Sequence, residues 1–316
     1  MDLDPDRFHG CLAGLATGDA LGTTVEFSAP GTFQPVTDLV GGGVFGLEAG
    51  QWTDDTSMAL CLAESLVERQ VFDPADQMQR YVNWYRRGYL SSTGSCFDIG
   101  NATREALVHY ERTGQAYAGS TDPRSAGNGS IMRLAPVAMF YARQPLQALH
   151  FAELSSRTTH GAAEAVGGCR LLAAILLAAL HGRSKAEMLS PAVLDSWLPP
   201  GAGQPKQPLP GRLQEVLNGS YQELEPPDIQ GSGYVVRSLE AALWAFSRTE
   251  DFRSGALLAV NLGDDADTTG AVYGQIAGAY YGYTGIPAAW RDRLVMSGLI
   301  QKLSLSLYTN GASDSL

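Results

Sequence analysis

The chain has 316 residues, 45% of them hydrophobic and 17% charged, with a formal net charge of −11 and a pI near 4.9. So acidic a balance excludes the basic face that binding to a nucleic-acid backbone requires. Cysteines without a CxxC pair, an acidic start at Met1–Asp6, and an apolar run, Leu171–Leu180, of about half a bilayer-spanning length point to a soluble, cytoplasmic protein.

At this length the chain slightly exceeds the usual reach of one hydrophobic core, yet no stretch reads as an inter-domain linker. Residues 1–316 are therefore expected to form one domain. From Arg7 to Leu21 the residues are small and apolar, with Gly10, Gly14 and Gly18 spaced by four. That spacing weakens an isolated helix but lets a second helix approach closely. Gly18-Asp19-Ala20-Leu21-Gly22 reads as the helix end, and Glu26 follows. Residues 28–50, rich in Gly, Pro and Thr, read as a loop. Gln51-Trp52-Thr53-Asp54-Asp55-Thr56-Ser57-Met58 then sets two adjacent carboxylates among hydroxyls. The spacing of Met58, Leu62, Leu66 and Val67 predicts a helix over Thr56–Arg69, and Pro74 fits the first turn of the next. Cys96-Phe97-Asp98-Ile99-Gly100-Asn101 leads into a helix to about Arg112, which Asp98 is suited to cap.

Ser125 to Leu134 carries Gly127 and Gly129 around Asn128. Its N–H groups can face an anion, or the stretch is an ordinary loop. Arg133 suits either a phosphate or an acidic side chain. From Arg157-Thr158-Thr159-His160-Gly161 a long, buried helix is predicted to about His181; His160 fits a ligand contact or a satisfied structural role. Residues 199–211, rich in proline and glycine, are predicted as a surface loop and an insertion. Tyr234, after two glycines, suits base stacking or the core, and opens a helix through Phe246. Phe252–Val260 reads as helix. A second acidic turn, Gly263-Asp264-Asp265-Ala266-Asp267-Thr268-Thr269-Gly270, opens a small-residue helix, and Ala288–Leu307 gives one more. Strand signals are nearly absent, so the fold class is all-α with on the order of ten or more helices.

Either acidic turn alone is explained by helix capping, where an acid suits the helix dipole. A cap needs one oxygen. If the two turns meet, they pool at least four carboxylates and two threonine hydroxyls. Carboxylates so crowded repel unless protons or cations neutralise them. Neither turn carries His or Cys, and an all-oxygen set suits Mg²⁺ or Mn²⁺ rather than zinc.

These segments, in this order, resemble the ADP-ribosylglycohydrolase family, particularly its bacterial dinitrogenase reductase-activating branch. The resemblance runs through Gly18–Gly22 with Glu26, Trp52–Thr56, Phe97–Gly100, Gly127–Ser130, Thr159–Gly161, Gly233–Val235 and Gly263–Gly270. It implies a compact all-α domain with a binuclear Mg²⁺ or Mn²⁺ centre in a cleft. The ligands so implied are Thr53, Asp54, Asp55, Asp265, Asp267 and Thr268. It also implies that Asp98 activates water, that Glu26 lies on a loop closing over the site, and that Asp55 belongs to the catalytic set. Gly100 and the turn Gly127, Asn128, Gly129 and Ser130 then face the ribose and diphosphate, with backbone N–H groups holding the latter. His160 and Tyr234 fall where ribose and adenine are contacted. The implied activity is metal-dependent removal of ADP-ribose from arginine side chains of modified proteins, with no membrane or nucleic-acid partner. Hydrolysis of a serine-linked, O-acetyl or nucleic-acid-linked ADP-ribose, or a catalytically silent relative, are the alternatives.

Overall fold

Pro5 opens the first helix where its missing N–H costs nothing, and Asp4 caps that helix by accepting from the Asp6 N–H at 2.9 Å. The computed structural model describes residues 3–198 and 208–311. Among these, fourteen α-helices form, and only isolated bridges stand in for strands. In chain order they are α1 (Pro5–Gly22), α2 (Asp54–Arg69), α3 (Pro74–Arg87), α4 (Asn101–Thr113), α5 (Ala135–Phe140), α6 (Pro145–Arg157) and α7 (Ala163–Leu180). There follow α8 (Lys185–Met188), α9 (Leu213–Leu217), α10 (Val235–Arg248), α11 (Phe252–Val260), α12 (Ala266–Tyr281), α13 (Ala288–Arg293) and α14 (Ser297–Thr309). The all-α expectation holds.

The helix pair that positions everything else is α1 against α12. A Cβ added at Gly10, Gly14 or Gly18 would lie 2.1, 2.2 or 1.9 Å from the carbonyl oxygen of Gly278, Gly274 or Gly270. The two backbones are thus in contact along an antiparallel seam that only glycine permits. Because the seam is antiparallel, the end of α1 meets the start of α12, and Gly22 abuts the backbone of Ala266 and Asp267. Asp19 and Glu26 are delivered to the second acidic turn by this packing. The fully buried Trp52, Trp84 and Trp290 belong to one continuous hydrophobic core.

Helix α7 has the length and hydropathy of a membrane span, but 83% of it is buried inside the fold, which makes it a core helix. It begins later than the sequence predicts. Helix α6 ends at Arg157, and residues 158–162 form a break in which the His160 N–H donates to Ser156 O at 2.7 Å and the Gly161 N–H to Ser120 O at 3.0 Å. The single helix expected over Ala288–Leu307 is likewise two, α13 and α14, separated by Met296 at φ 55°. Of the predicted surface loop, residues 199–207 lie outside the described residues.

Candidate metal centre and ligand cleft

Helix α2 starts at Asp54, which places both acids of the first turn inside the helix. Thr53 occupies the N-cap position but caps nothing with its side chain. The cap comes from Asp19 on α1. Its Oδ1 accepts from the Thr53 N–H and Thr53 Oγ1, each at 2.9 Å, and its Oδ2 from the Thr56 N–H at 3.0 Å and Thr56 Oγ1 at 2.6 Å. Four donors saturate that carboxylate. Thr53 Oγ1 also stands 3.1 Å from Asp55 Oδ2 and 3.1 Å from Asp267 Oδ2. A hydroxyl has one proton. With Asp19 taking it, the Thr53 lone pairs face two further carboxylate oxygens.

The second acidic turn repeats the device. Asp265, at the N-cap of α12, makes no side-chain cap. Glu26 supplies it, with Oε2 accepting from the Ala266 N–H at 2.7 Å and the Asp267 N–H at 3.1 Å. The loop carrying Glu26 is stitched to the turn: the Phe27 N–H donates to Asp264 O at 2.8 Å and the Asp264 N–H to Ser28 O at 2.9 Å. Phe27 and Asp264 both adopt left-handed backbone, φ 59° and 55°, a strained choice for residues other than glycine. Local capping therefore explains neither acidic turn. Each helix is capped by a carboxylate from a distant segment, so its own acids are not needed as its cap, although Asp267 Oδ1 accepts from the Thr268 N–H at 2.6 Å.

The acids of the two turns crowd together with the two that cap them. Oxygens of Asp19, Asp55 and Asp267 lie within 4.8 Å of one another, as do those of Glu26, Asp265 and Asp267. No Lys, Arg or His pairs with any of them among the described residues. Burial, then the neighbouring carboxylates, pushes Asp54, Asp55 and Asp267 well above the usual carboxylate range. Burial also raises Glu26 to about 8 and Asp98 and Asp19 to about 6. Asp55 Oδ1 is buried with no hydrogen-bond partner. An orphaned carboxylate oxygen among all-oxygen donors is what a hard divalent cation would satisfy, so the residues present fit such ions.

Above this floor lies a cleft of about 350 Å³, lined by Glu26, Asp54, Asp98, Gly100, Gly127, Asn128, Gly129, His160, Asp265, Asp267 and Thr268. Thr53 and Asp55 lie beneath it, buried. Asp98 stands at the cleft with φ 59° and does not cap α4, whose N-cap is Gly100. Asn128 ties the glycine turn to the acids, its Nδ2 donating to Asp265 Oδ2 at 2.9 Å. Two expectations for this turn need correction. Ser130 is buried behind it, accepting from Ser156 Oγ at 3.0 Å, and does not line the cleft. The Gly127 and Asn128 N–H groups already donate to Ser125 O and Gly233 O, which leaves those of Gly129 and Ser130. Tyr234 lines an adjoining cavity of about 720 Å³ that shares Gly127 and Gly233 with the cleft, and its hydroxyl donates to Glu164 Oε2 at 2.6 Å. Arg133 pairs with no acid among the described residues and is wholly enclosed.

Sequence reasoning assigned no role to Asp19 or Glu164. For Asp19 a signal existed, a lone acid in a helix of small apolar residues. For Glu164 none did.

Residues 1–315 match the family model described as ADP-ribosylglycohydrolase. The chain is 48% identical over 304 residues to the ADP-ribosylarginine hydrolase Tri1 of Pseudomonas putida (strain GB-1), across 96% of this chain and 78% of that protein. It is 44% identical to the protein of the same name in Serratia proteamaculans (strain 568), across 96% and 79%. It is 31% identical to an ADP-ribosyl-dinitrogen reductase glycohydrolase of Rhodospirillum rubrum, across 92% and 91%. A solved structure described as an ADP-ribosylglycohydrolase-related protein complex superposes with a TM-score of 0.83 at 45% identity, covering 98% of this chain and 99% of that one.

Proposed function

The chain belongs to the ADP-ribosylglycohydrolase family, and on that premise we propose that it hydrolyses the N-glycosidic bond joining ADP-ribose to arginine side chains of modified proteins. The meeting of the Asp54–Asp55 and Asp265–Asp267 turns around Thr53 Oγ1 carries the reading. Arginine as the linkage is supported by two relatives named ADP-ribosylarginine hydrolase at 48% and 44% identity.

Thr53, Asp54, Asp55, Asp265, Asp267 and Thr268 are assigned to holding two divalent cations, Mg²⁺ or Mn²⁺. Such ions, when bound, neutralise the carboxylates, hold sugar hydroxyls and acidify water. Asp98, with its carboxyl near 6, receives the proton of the attacking water. As the water oxygen bonds to the anomeric carbon, the carbon–nitrogen bond breaks, and the proton that Asp98 took from the water passes to the departing guanidine nitrogen. The products are ADP-ribose and unmodified arginine. Positive charge developing on the ring is stabilised by the carboxylates surrounding the cleft, as in other glycosidases. Gly100, Gly127, Gly129 and His160 face the ribose and diphosphate, and Tyr234 faces the adenine in the adjoining cavity. A cytoplasmic setting suits the four free cysteines.

The test is a panel of defined conjugates, linked through arginine, serine, acetyl or nucleic acid, incubated with Mg²⁺ or Mn²⁺ and again with excess chelator. Release of ADP-ribose from arginine alone, abolished by chelator, is the expected result. Undiminished turnover in chelator, or preference for another linkage, overturns the proposal.

A further inference from the structure

Arg133 is buried to 0% exposure, and no carboxylate pairs with it among the described residues. A buried guanidinium without an anion is costly, so its hydrogen bonds matter. It donates to Gly129 O, to Thr159 Oγ1 at 2.6 Å and to Thr158 Oγ1 at 3.3 Å, and lies 5.0 Å over the Tyr81 ring. Thr159 Oγ1 is in turn 2.8 Å from His160 Nδ1.

These contacts have a direction. A guanidinium only donates, so Thr159 Oγ1 accepts from Arg133. Among the described residues the Thr159 hydroxyl proton then has one acceptor in reach, His160 Nδ1. A ring nitrogen that accepts is unprotonated, which leaves the imidazole proton on Nε2. Nε2 has no hydrogen-bond partner among the described residues, and His160 lines the cleft while only 3% exposed. A Cβ added at Gly127 or Gly129 would lie 3.2 Å from Nε2, so the two glycines keep the space beside it open. The backbone is pinned as well, since Ser156 Oγ donates to His160 O at 2.8 Å.

We propose that Arg133, acting through Thr159, is a positioning residue that fixes His160 as its Nε2–H tautomer, so that a neutral ring donates one hydrogen bond to an oxygen of the bound ADP-ribose. The identity of the ligand rests on the function proposed above; the tautomer does not. Burial, aided by the Arg133 charge, holds His160 far below its ordinary value, to about 3, so the ring stays neutral in use.

Nitrogen-15 NMR of histidine-labelled protein without ligand reads the tautomer directly, with the His160 signals identified by their loss in His160→Asn. The wild type should show Nε2–H, unchanged between about pH 5 and 8. Thr159→Val, which keeps the side-chain shape and removes the hydroxyl, should lose that preference and bind ADP-ribose about tenfold more weakly by calorimetry. Thr159→Ser should restore both. A wild-type His160 carrying its proton on Nδ1, or an imidazolium near neutrality, overturns the proposal even if Thr159→Val fails to fold. A folded Thr159→Val with wild-type tautomer and affinity overturns it too. Normal ADP-ribose binding without cleavage of the arginine linkage would sink the proposed function and leave this inference standing.

Discussion

Thr53 Oγ1 lies 3.1 Å from Asp267 Oδ2, a contact between the first turns of two helices 214 residues apart in sequence. Asp19 draws the hydroxyl proton away from that contact, so an oxygen lone pair meets a carboxylate oxygen. Such a contact is repulsive until a cation or a proton fills it. The fold holds it in place through the glycine seam between α1 and α12 and through the two borrowed helix caps.

Asp19→Asn tests the first of those caps. The amide keeps the size but exchanges one accepting oxygen for a donor, which then faces the donors of Thr53 or Thr56. Each buried donor left unsatisfied costs about 1–3 kcal/mol. The variant should unfold at lower denaturant and bind Mn²⁺ about 10- to 100-fold more weakly, the range seen when groups orienting metal ligands are changed. Denaturation and a metal titration read these separately. Wild-type Mn²⁺ affinity in a folded variant would show that Asp19 does not orient Thr53.

The seam itself is tested by a pair of glycines. Gly14→Ala forces a methyl to within 2.2 Å of Gly274 O, and with backbone on both sides nothing can move cheaply. A loss of about 3 kcal/mol or more, or failure to fold, is expected. Gly298→Ala in α14 meets nothing within 4 Å and should gain up to about 1 kcal/mol from helix propensity. Chemical denaturation of both gives the contrast, and equal effects would mean that the helices do not touch.

The acidic turns were legible in the sequence because they break an economy that capping obeys: more carboxylates than a helix end needs, flanked by hydroxyls. The glycine periodicity of α1 was legible too, as a site of close approach, though not its partner. What escaped depends on which donor finds which acceptor across the fold. Asp19 is one residue among small neighbours until Thr53 and Thr56 are folded against it. The Gly127 and Asn128 N–H groups look free until Ser125 O and Gly233 O reach them. Arg133 reads as a charge one turn into a helix, suited to a phosphate or an acid, yet it is walled in, because its acceptors, Gly129 O, Thr158 and Thr159, come from the turn and the α6–α7 break. That break was missed because two threonines and a histidine differ too little in propensity from a helix start.

Metal-free protein should lose stability as pH rises. Burial raises Glu26 to about 8 and Asp19 and Asp98 to about 6, against about 4 for carboxyls in an unfolded chain. A raised folded-state value contributes stability that is full below the unfolded value and is lost as pH climbs through the folded one. The decline should therefore run from about pH 4 to about pH 8. Divalent ions bind the ionised form, and at 100 times their Kd they add about 2.7 kcal/mol. The gap between melting temperatures with and without Mg²⁺ or Mn²⁺ should widen over that window in calorimetry. Parallel curves would mean that the acid cluster holds no ion.

Asp98→Asn separates chemistry from folding more cleanly than any substitution among the acids of the floor. Asp98 has φ 59°, a backbone that asparagine tolerates as well as aspartate, so the loop should keep its shape. Asp98 belongs to neither tight cluster of potential ligand oxygens, so metal binding should persist. Its carboxyl, pushed up to about 6, is ionised at pH 8 against the penalty of burial, and a neutral amide removes that penalty. The variant should therefore match or exceed the wild type in melting temperature. Its kcat on ADP-ribosylarginine should fall about 10²- to 10⁴-fold, the usual contribution of a positioned base, with KM little changed. The acid limb of the pH profile that the Asp98 carboxyl imposes should vanish with it. A variant that keeps kcat within about twofold would move the proton-accepting role to Glu26 or to the acids of the cluster.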